Sequence, residues 1–242
     1  MNISACIQAR MNSQRLPGKV LSKIESKPML QWQIERLRHS RLIDNIIVAT
    51  TSSPKDDPIE LLCKKLNINY FRGSESNVLN RVSETLKKYK VDIHVECFGD
   101  SPLADPQIID EFIGYFLKYK GRIDYVSSAL ESTYPAGMEV SVYNSSILYE
   151  IEKKISLNDS LREHCGFNIT RFSELFNLIS LKAPSYLNRP DIFLEVDTEK
   201  DLKLIKEIIR HFNQKNYLHF STKEIINFLS DNKSLIKINQ KE

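Results

Sequence analysis

Short, mainly apolar runs alternate with longer stretches in which apolar residues recur every three or four positions. Ile3 to Ile7, Ile46 to Thr50, Ile93 to Phe98, Tyr125 to Ser128 and Ile192 to Val196 read as strands. Several of them are nearly continuous in apolar character, the look of parallel strands buried on both faces. Between the strands, Met29 to His39, Ile59 to Leu66, Val78 to Tyr89 and Gln107 to Tyr119 have helical spacing. Strand and helix in alternation predict an α/β fold, a single domain built on a doubly wound, mostly parallel sheet.

The helix starts sharpen this picture. Asp105-Pro106 is a capping residue followed by a first-turn proline. The segment Gly99 to Leu103 therefore lies between a strand end and a helix start, where open α/β sheets place their ligands. Thr198 with Asp201, and Ser221 with Glu224, have capping-box spacing. They predict a helix from Glu199 to about His211 and a last helix reaching Ser230. Between residues 131 and 189 the pattern mixes a strand (Glu139 to Tyr143), a helix (Ser145 to Lys154) and a strand (Leu178 to Leu181). This stretch is expected as a small inserted lobe over the sheet edge. No repeat or linker divides the chain, so one domain is expected over residues 1–242.

With 242 residues, 41% of them hydrophobic, the chain is long enough to bury a full core. Lys and Arg number 34 against 31 Asp and Glu, and a net charge of +3 is too mild to argue for nucleic acid or a membrane surface. Lys233, Lys237 and Lys241 read as a solubilising tail. Cys6, Cys63, Cys97 and Cys165 are far apart and form no C-x-x-C pair, which favours buried free thiols. The N-terminus lacks a signal-peptide pattern and no apolar stretch approaches a membrane span, so a cytoplasmic protein is expected.

Candidate chemistry begins where the first strand ends. Arg10, Arg15 and Lys19 stand in Ile7-Gln8-Ala9-Arg10-Met11-Asn12-Ser13-Gln14-Arg15-Leu16-Pro17-Gly18-Lys19, with a Pro-Gly turn before the lysine. Folded back over the sheet, three such cations can converge on one polyanion, whereas scattered charges would form only a solvated loop. Two acids also stand out by position. Asp100 follows Ile93 to Phe98, and Asp197 follows Ile192 to Val196. If both strands are parallel, both carboxylates emerge at one edge and offer hard oxygen to Mg²⁺. For Asp197 a position beside a helix cap is an equally good account.

The string I-x-A-R-x-x-S-x-R-L-P-G-K resembles the opening of the cytidylyltransferases that activate acidic sugars. G-D-x-P-L with a following D-P, and D-T-x-x-D-L near the C-terminus, resemble that family's two metal-binding aspartate motifs, carried here by Asp100 and Asp197. Phe71-Arg72-Gly73-Ser74 through Val78-Leu79-x-Arg81, Tyr134-Pro135-x-Gly137-x-Glu139 and Arg162-Glu163-His164 are similar to segments of the SpsF-like spore-coat polysaccharide branch. The last acid of the second segment is replaced here by Ser141. His164-Cys165-Gly166-Phe167 with Arg171 is closer to CMP-ketodeoxyoctonate synthetases.

What the resemblance implies is a nucleotide-diphospho-sugar transferase (GT-A-like) fold and a Mg²⁺-dependent enzyme. Such an enzyme transfers CMP from CTP to an acidic sugar, releasing pyrophosphate, for surface polysaccharide biosynthesis. By the same resemblance Ala9, Arg10, Ser13, Arg15 and Lys19 grip the nucleotide, and Arg10, Arg15, Lys19 and Asp100 are catalytic. Arg72, Ser74 and Arg81 approach the base or ribose, although Arg81 on its helix also suits a plain salt bridge. Gly137, Glu139, Glu163, His164 and Arg171 would line the acceptor pocket, although a lone histidine near a helix end is commonly a structural hydrogen-bonder. A homodimer is likewise implied, with residues 131 to 143 as the place for it. The competing classes are a transferase of the same fold acting on a phosphosugar or small acid, a GT-A-type glycosyltransferase and a dinucleotide oxidoreductase. No D-x-D triplet and no glycine pair at G-x-G spacing occurs in the chain, which weighs against the last two.

Overall fold

The computed structural model describes residues 1–157, 159–214 and 219–240. The first strand, β1 (Ile3–Gln8), leads through a loop to a two-stranded ribbon, β2 (Lys23–Ile24) and β3 (Lys27–Pro28), and then to helix α1 (Met29–Leu37). The next elements are β4 (Asn45–Thr51), α2 (Asp57–Lys65), β5 (Asn69–Gly73), α3 (Val78–Lys88), β6 (Ile93–Phe98) and α4 (Pro106–Lys118). The chain continues through β7 (Tyr125–Ser127), β8 (Ser141–Asn144), α5 (Ser145–Lys154), α6 (Gly166–Arg171) and β9 (Leu178–Ser180). It closes with α7 (Glu199–Gln214), α8 (Thr222–Asp231) and α9 (Lys233–Ile236). Lys241 of the expected basic tail lies outside the described residues.

Seven strands form one sheet in the order β5-β4-β1-β6-β8-β7-β9. β1 runs parallel to both β4 and β6, and β8 alone is antiparallel, to β6 and to β7. The chain moves from β1 outward to β4 and β5, then returns across β1 to β6. That reversal is a topological switch point, and it opens a crevice at the carboxyl ends of β1 and β6. Strand alternation divides the core between the two faces. Ile3, Ala5 and Ile7 pack with α1, α4, α7 and α8, whereas Cys6 packs with α3, α5 and α6. All four cysteines are free and buried, as expected.

Several caps follow the sequence closely. Asp105 accepts from Gln107 N at 2.9 Å to start α4, and Ser221 and Glu224 close a reciprocal box at the start of α8. Helix α7 runs on to Gln214, past the expected end.

Three expectations need correction. Ile192 to Val196 is not a strand. The parallel place beside β6 is filled by antiparallel β8. The segment instead threads between two loops, with Leu194 N donating to Ala136 O and Val196 N to Asp100 O, both at 2.8 Å. Ile192, Leu194 and Val196 are still buried, so the apolar run reflects core packing without a ladder. Residues 131–189 do not form a lobe standing over the edge, because β8 and β9 extend the sheet itself. Tyr134, Met138 and Val140 within that stretch point into the core of the same chain. Strand β5 was not expected: as an edge strand of Asn, Tyr, Phe, Arg and Gly, all at least partly exposed, it lacks the continuous apolar signature.

Candidate active site

The crevice at the switch point is a cleft of about 450 Å³ lined by the exits of β1 and β6, the basic loop, α3 and the segment before α6. The basic loop is shaped by its own backbone and by one buried acid. Gly18 adopts a left-handed φ of 76° and donates its N–H to Met11 O at 2.8 Å, so the loop folds back on itself. Asp56, wholly buried ahead of α2, accepts from Met11 N at 2.7 Å and from Thr51 N and the Thr51 hydroxyl. That carboxylate ties the loop after β1 to the end of β4.

Asp100 reaches the cleft because β6 leaves the sheet hard against β1. Gly99 N donates to Gln8 O at 2.9 Å, and a Cβ on Gly99 would come within 3.0 Å of that carbonyl. Asp197 is set by the start of α7. Asp201 Oδ2 accepts from Asp197 N at 3.1 Å, from Thr198 N at 2.8 Å and from the Thr198 hydroxyl. The Thr198–Asp201 cap thus does two jobs: it begins α7 and it holds the backbone of Asp197.

Lys19 joins the two acids. Its ammonium lies 3.1 Å from Asp100 Oδ2 and 3.0 Å from Asp197 Oδ1, and donates to Val196 O at 2.7 Å, with the residue 8% exposed. Arg15, with a side chain 64% exposed, pairs with the other Asp197 oxygen at 2.7 Å. Asp100 and Asp197, 97 positions apart in sequence, therefore face one point in space. They arrive there from one strand end and one irregular segment, where the sequence pattern predicted two parallel strands.

Arg81 also lines the cleft; it is 2% exposed, and its Nη1 donates to Ser74 O at 2.6 Å while its buried Nε has no partner. Burial pushes this guanidinium below its ordinary range, and the charge of nearby Arg10 pushes the same way. Two guanidinium groups in one cleft favour anionic or carbonyl oxygen there.

Of the residues singled out in the sequence, Ala9, Arg10, Ser13, Arg15, Lys19, Arg81, Asp100, Glu163, His164 and Asp197 line this one cleft. Gly137 and Glu139 instead line a narrow cavity that adjoins it at Phe98. Arg72 is not in the cleft. Its guanidinium donates to Thr51 O and Ser53 O and pairs with Asp57 and Glu60, anchoring β5 to the start of α2. Ser74 is likewise turned inward, its hydroxyl accepting from Asn77 N. Arg171, exposed near the end of α6, does not line the cleft. Among the described residues no group of three or more His, Cys, Asp and Glu is disposed to hold a metal ion.

Sequence reasoning missed Asp56, Gln8 and Glu96. Gln8, a polar residue ending an apolar strand, was a usable signal; the reach of Asp56 to Met11 left none. Glu96 is buried in the sheet beside the narrow cavity, accepting from Gln8 Nε2 at 3.1 Å and Gly166 N at 3.2 Å. Burial pushes its carboxyl up to about 7.

Comparison with known proteins agrees with this geometry. The family model described as "Cytidylyltransferase" matches residues 4–226. The spore coat polysaccharide biosynthesis protein SpsF of Bacillus subtilis is 31% identical over 230 residues, covering 93% of this chain and 93% of that protein. A 3-deoxy-manno-octulosonate cytidylyltransferase of Pelobacter propionicus is 34% identical over 116 residues, 47% of this chain and 44% of that protein. The solved structure of a cytidylyltransferase from Leptospira borgpetersenii superposes with a TM-score of 0.93 at 30% identity, covering 100% of this chain and 99% of that one. With a cation-lined cleft at the switch point of a mostly parallel sheet, and a family match over nearly the whole chain, this protein belongs to the cytidylyltransferase family and is a CTP-dependent nucleotidyltransferase.

Proposed function

We propose that this enzyme transfers CMP from CTP to an acidic sugar, a 2-keto-3-deoxy sugar acid such as ketodeoxyoctonate or a nonulosonic acid, in surface polysaccharide biosynthesis. The observation that carries the reading is the convergence of Arg10, Arg15, Lys19, Arg81, Asp100 and Asp197 on one cleft. The Pelobacter propionicus relative, a 3-deoxy-manno-octulosonate cytidylyltransferase, supports the acceptor class, and the Bacillus subtilis relative, a spore coat polysaccharide biosynthesis protein, supports the polysaccharide setting. The acceptor hydroxyl attacks the α-phosphorus of CTP; the bond to the β-phosphate oxygen breaks, and pyrophosphate leaves. This step spreads negative charge over phosphate oxygens, so preorganised cations contribute more than covalent chemistry. Arg10, Arg15 and Lys19 neutralise the leaving pyrophosphate, and Arg81 with Ala9 and Ser13 holds the nucleotide. Glu163 and His164, at the cleft wall, face the acceptor.

Asp100 and Asp197 suit Mg²⁺, because two carboxylates around one point leave room for the waters and phosphate oxygens that such an ion also requires. Bound there, the ion supplies charge neutralisation at the phosphates and a lowered pKa for a coordinated hydroxyl. The homodimer belongs to the same reading and rests on the motif resemblance. The test is pyrophosphate release with each nucleoside triphosphate against 2-keto-3-deoxy sugar acids, phosphosugars and small acids. Turnover confined to CTP with a sugar acid is expected; turnover with a phosphosugar alone would replace the acceptor class.

A further inference from the structure

The most constrained charged group in the cleft is Lys19. Its three ammonium hydrogens match three acceptors, Asp100 Oδ2, Asp197 Oδ1 and Val196 O, at 3.1, 3.0 and 2.7 Å. At 8% exposure, these three acceptors supply most of the solvation of its charge. The oxygens offered to a cation are therefore the oxygens that already neutralise an ammonium. A dication brought to Asp100 and Asp197 by itself meets a like charge at contact distance in a partly desolvated site, which is strongly unfavourable. A triphosphate brought to Lys19 by itself meets two carboxylates, which is unfavourable for the same reason.

We propose that Lys19 is an exchangeable counter-ion shared between the two carboxylates and the incoming phosphates, so that the protein takes cation and nucleoside triphosphate together and binds each alone only weakly. When both arrive as one complex, the carboxylates turn to the cation and the ammonium turns to phosphate oxygen, so no charge is left unpaired. Arg15 is the mobile part of the exchange. Its side chain is 64% exposed where that of Asp197 is 18%, so Arg15 can leave the pair for water at small cost. Arg10 and Arg81, which line the same cleft, take up the excess negative charge of the complex. The inference rests on the reading of Asp100 and Asp197 as the cation's ligands.

The experiment measures Mn²⁺ binding by electron paramagnetic resonance with no nucleotide present, in wild type, Lys19→Met and Lys19→Arg. Lys19→Met should bind Mn²⁺ alone at least about ten-fold more tightly than wild type, and Lys19→Arg should show no gain, because only the first removes the competing charge. A second arm does not depend on the folding of Lys19→Met. In EDTA, Asp197→Asn and Asp100→Asn should each bind CTP by calorimetry at least about five-fold more tightly than wild type, because each removes a repelling carboxylate. If wild type binds Mn²⁺ together with CTP, yet Lys19→Met gains nothing for Mn²⁺ and the asparagine variants gain nothing for CTP, Lys19 is a fixed structural tether and the exchange is overturned. If wild type fails to bind Mn²⁺ and CTP even in combination, the reading of the two aspartates falls, and this inference with it.

Discussion

At the scale of single residues, charge placement changed most between sequence and structure. Arg72 and Arg81 stand nine positions apart in one motif and read alike, yet one is taken up by Asp57, Glu60 and two carbonyls while the other faces the cleft with an unpartnered Nε. Glu96 carries a pH dependence that the motifs gave no hint of. Its carboxyl moves from an ordinary 4.5 up to about 7 in the folded protein through burial. The folded state therefore holds a proton that the unfolded state has lost, and stability falls as pH rises from about 4.5 to about 7. Buried His94, pushed down to about 3, acts in the opposite sense and costs stability as pH falls below about 6.5. Glu96→Gln separates the two. Relative to wild type it should gain on the order of 2–3 kcal/mol between pH 4.5 and pH 8, from a shift of roughly two units or more at about 1.4 kcal/mol each. Denaturant melts of both proteins across that range check it; parallel curves would mean that Glu96 ionises normally.

At the scale of elements, tight backbone crossings hold the site together. Gly137 has a φ of 88°, and a Cβ there would lie 2.7 Å from Glu195 N and 2.9 Å from the Leu194 carbonyl carbon. This crossing holds the irregular segment that ends in Asp197. Gly137→Ala should cost about 2–4 kcal/mol, combining left-handed strain with a backbone collision, and should lower turnover in whatever protein remains folded. Gly114, inside α4 with open space around it, is the control: alanine there should stabilise by about 0.5–1 kcal/mol. Thermal melts and single-turnover rates of the two variants separate the crossing from a general sensitivity to alanine. Equal small effects at both sites would show that the 194–197 segment can shift freely.

At the scale of the molecule, the order of strands matters more than their number. Placing β1 between β4 and β6 brings the loop after residue 8 and the turn after residue 98 to one crevice, and α7 delivers Asp197 from the far end of the chain. A ligand that binds this assembled site, and not the unfolded chain, raises the melting temperature by mass action. CTP with Mg²⁺ is expected to raise it more than ATP, GTP or UTP at equal concentration. Equal shifts for all four would leave a generic triphosphate site and withdraw the cytosine preference.

The sequence by itself determined the parallel core, because β1, β4 and β6 are buried on both faces almost throughout and draw mainly apolar residues, although β6 carries His94 and Glu96 among them. It determined the starts of α4, α7 and α8 as well, since a cap is a local hydrogen bond between residues two or three apart. The basic loop and both aspartates were legible for the same reason: each is a polar cluster at the end of an apolar segment. Only the tertiary structure decided that Ile192 to Val196 meets Ala136 in a single isolated bridge and joins no strand of the sheet, since an apolar run records burial and carries no information about which backbone groups it will meet. Nor does any local pattern encode the tether of Asp56 to Met11 or the seating of Lys19 between two carboxylates. Those contacts join residues 45, 81 and 178 positions apart, and their partners exist only once the sheet has ordered its strands.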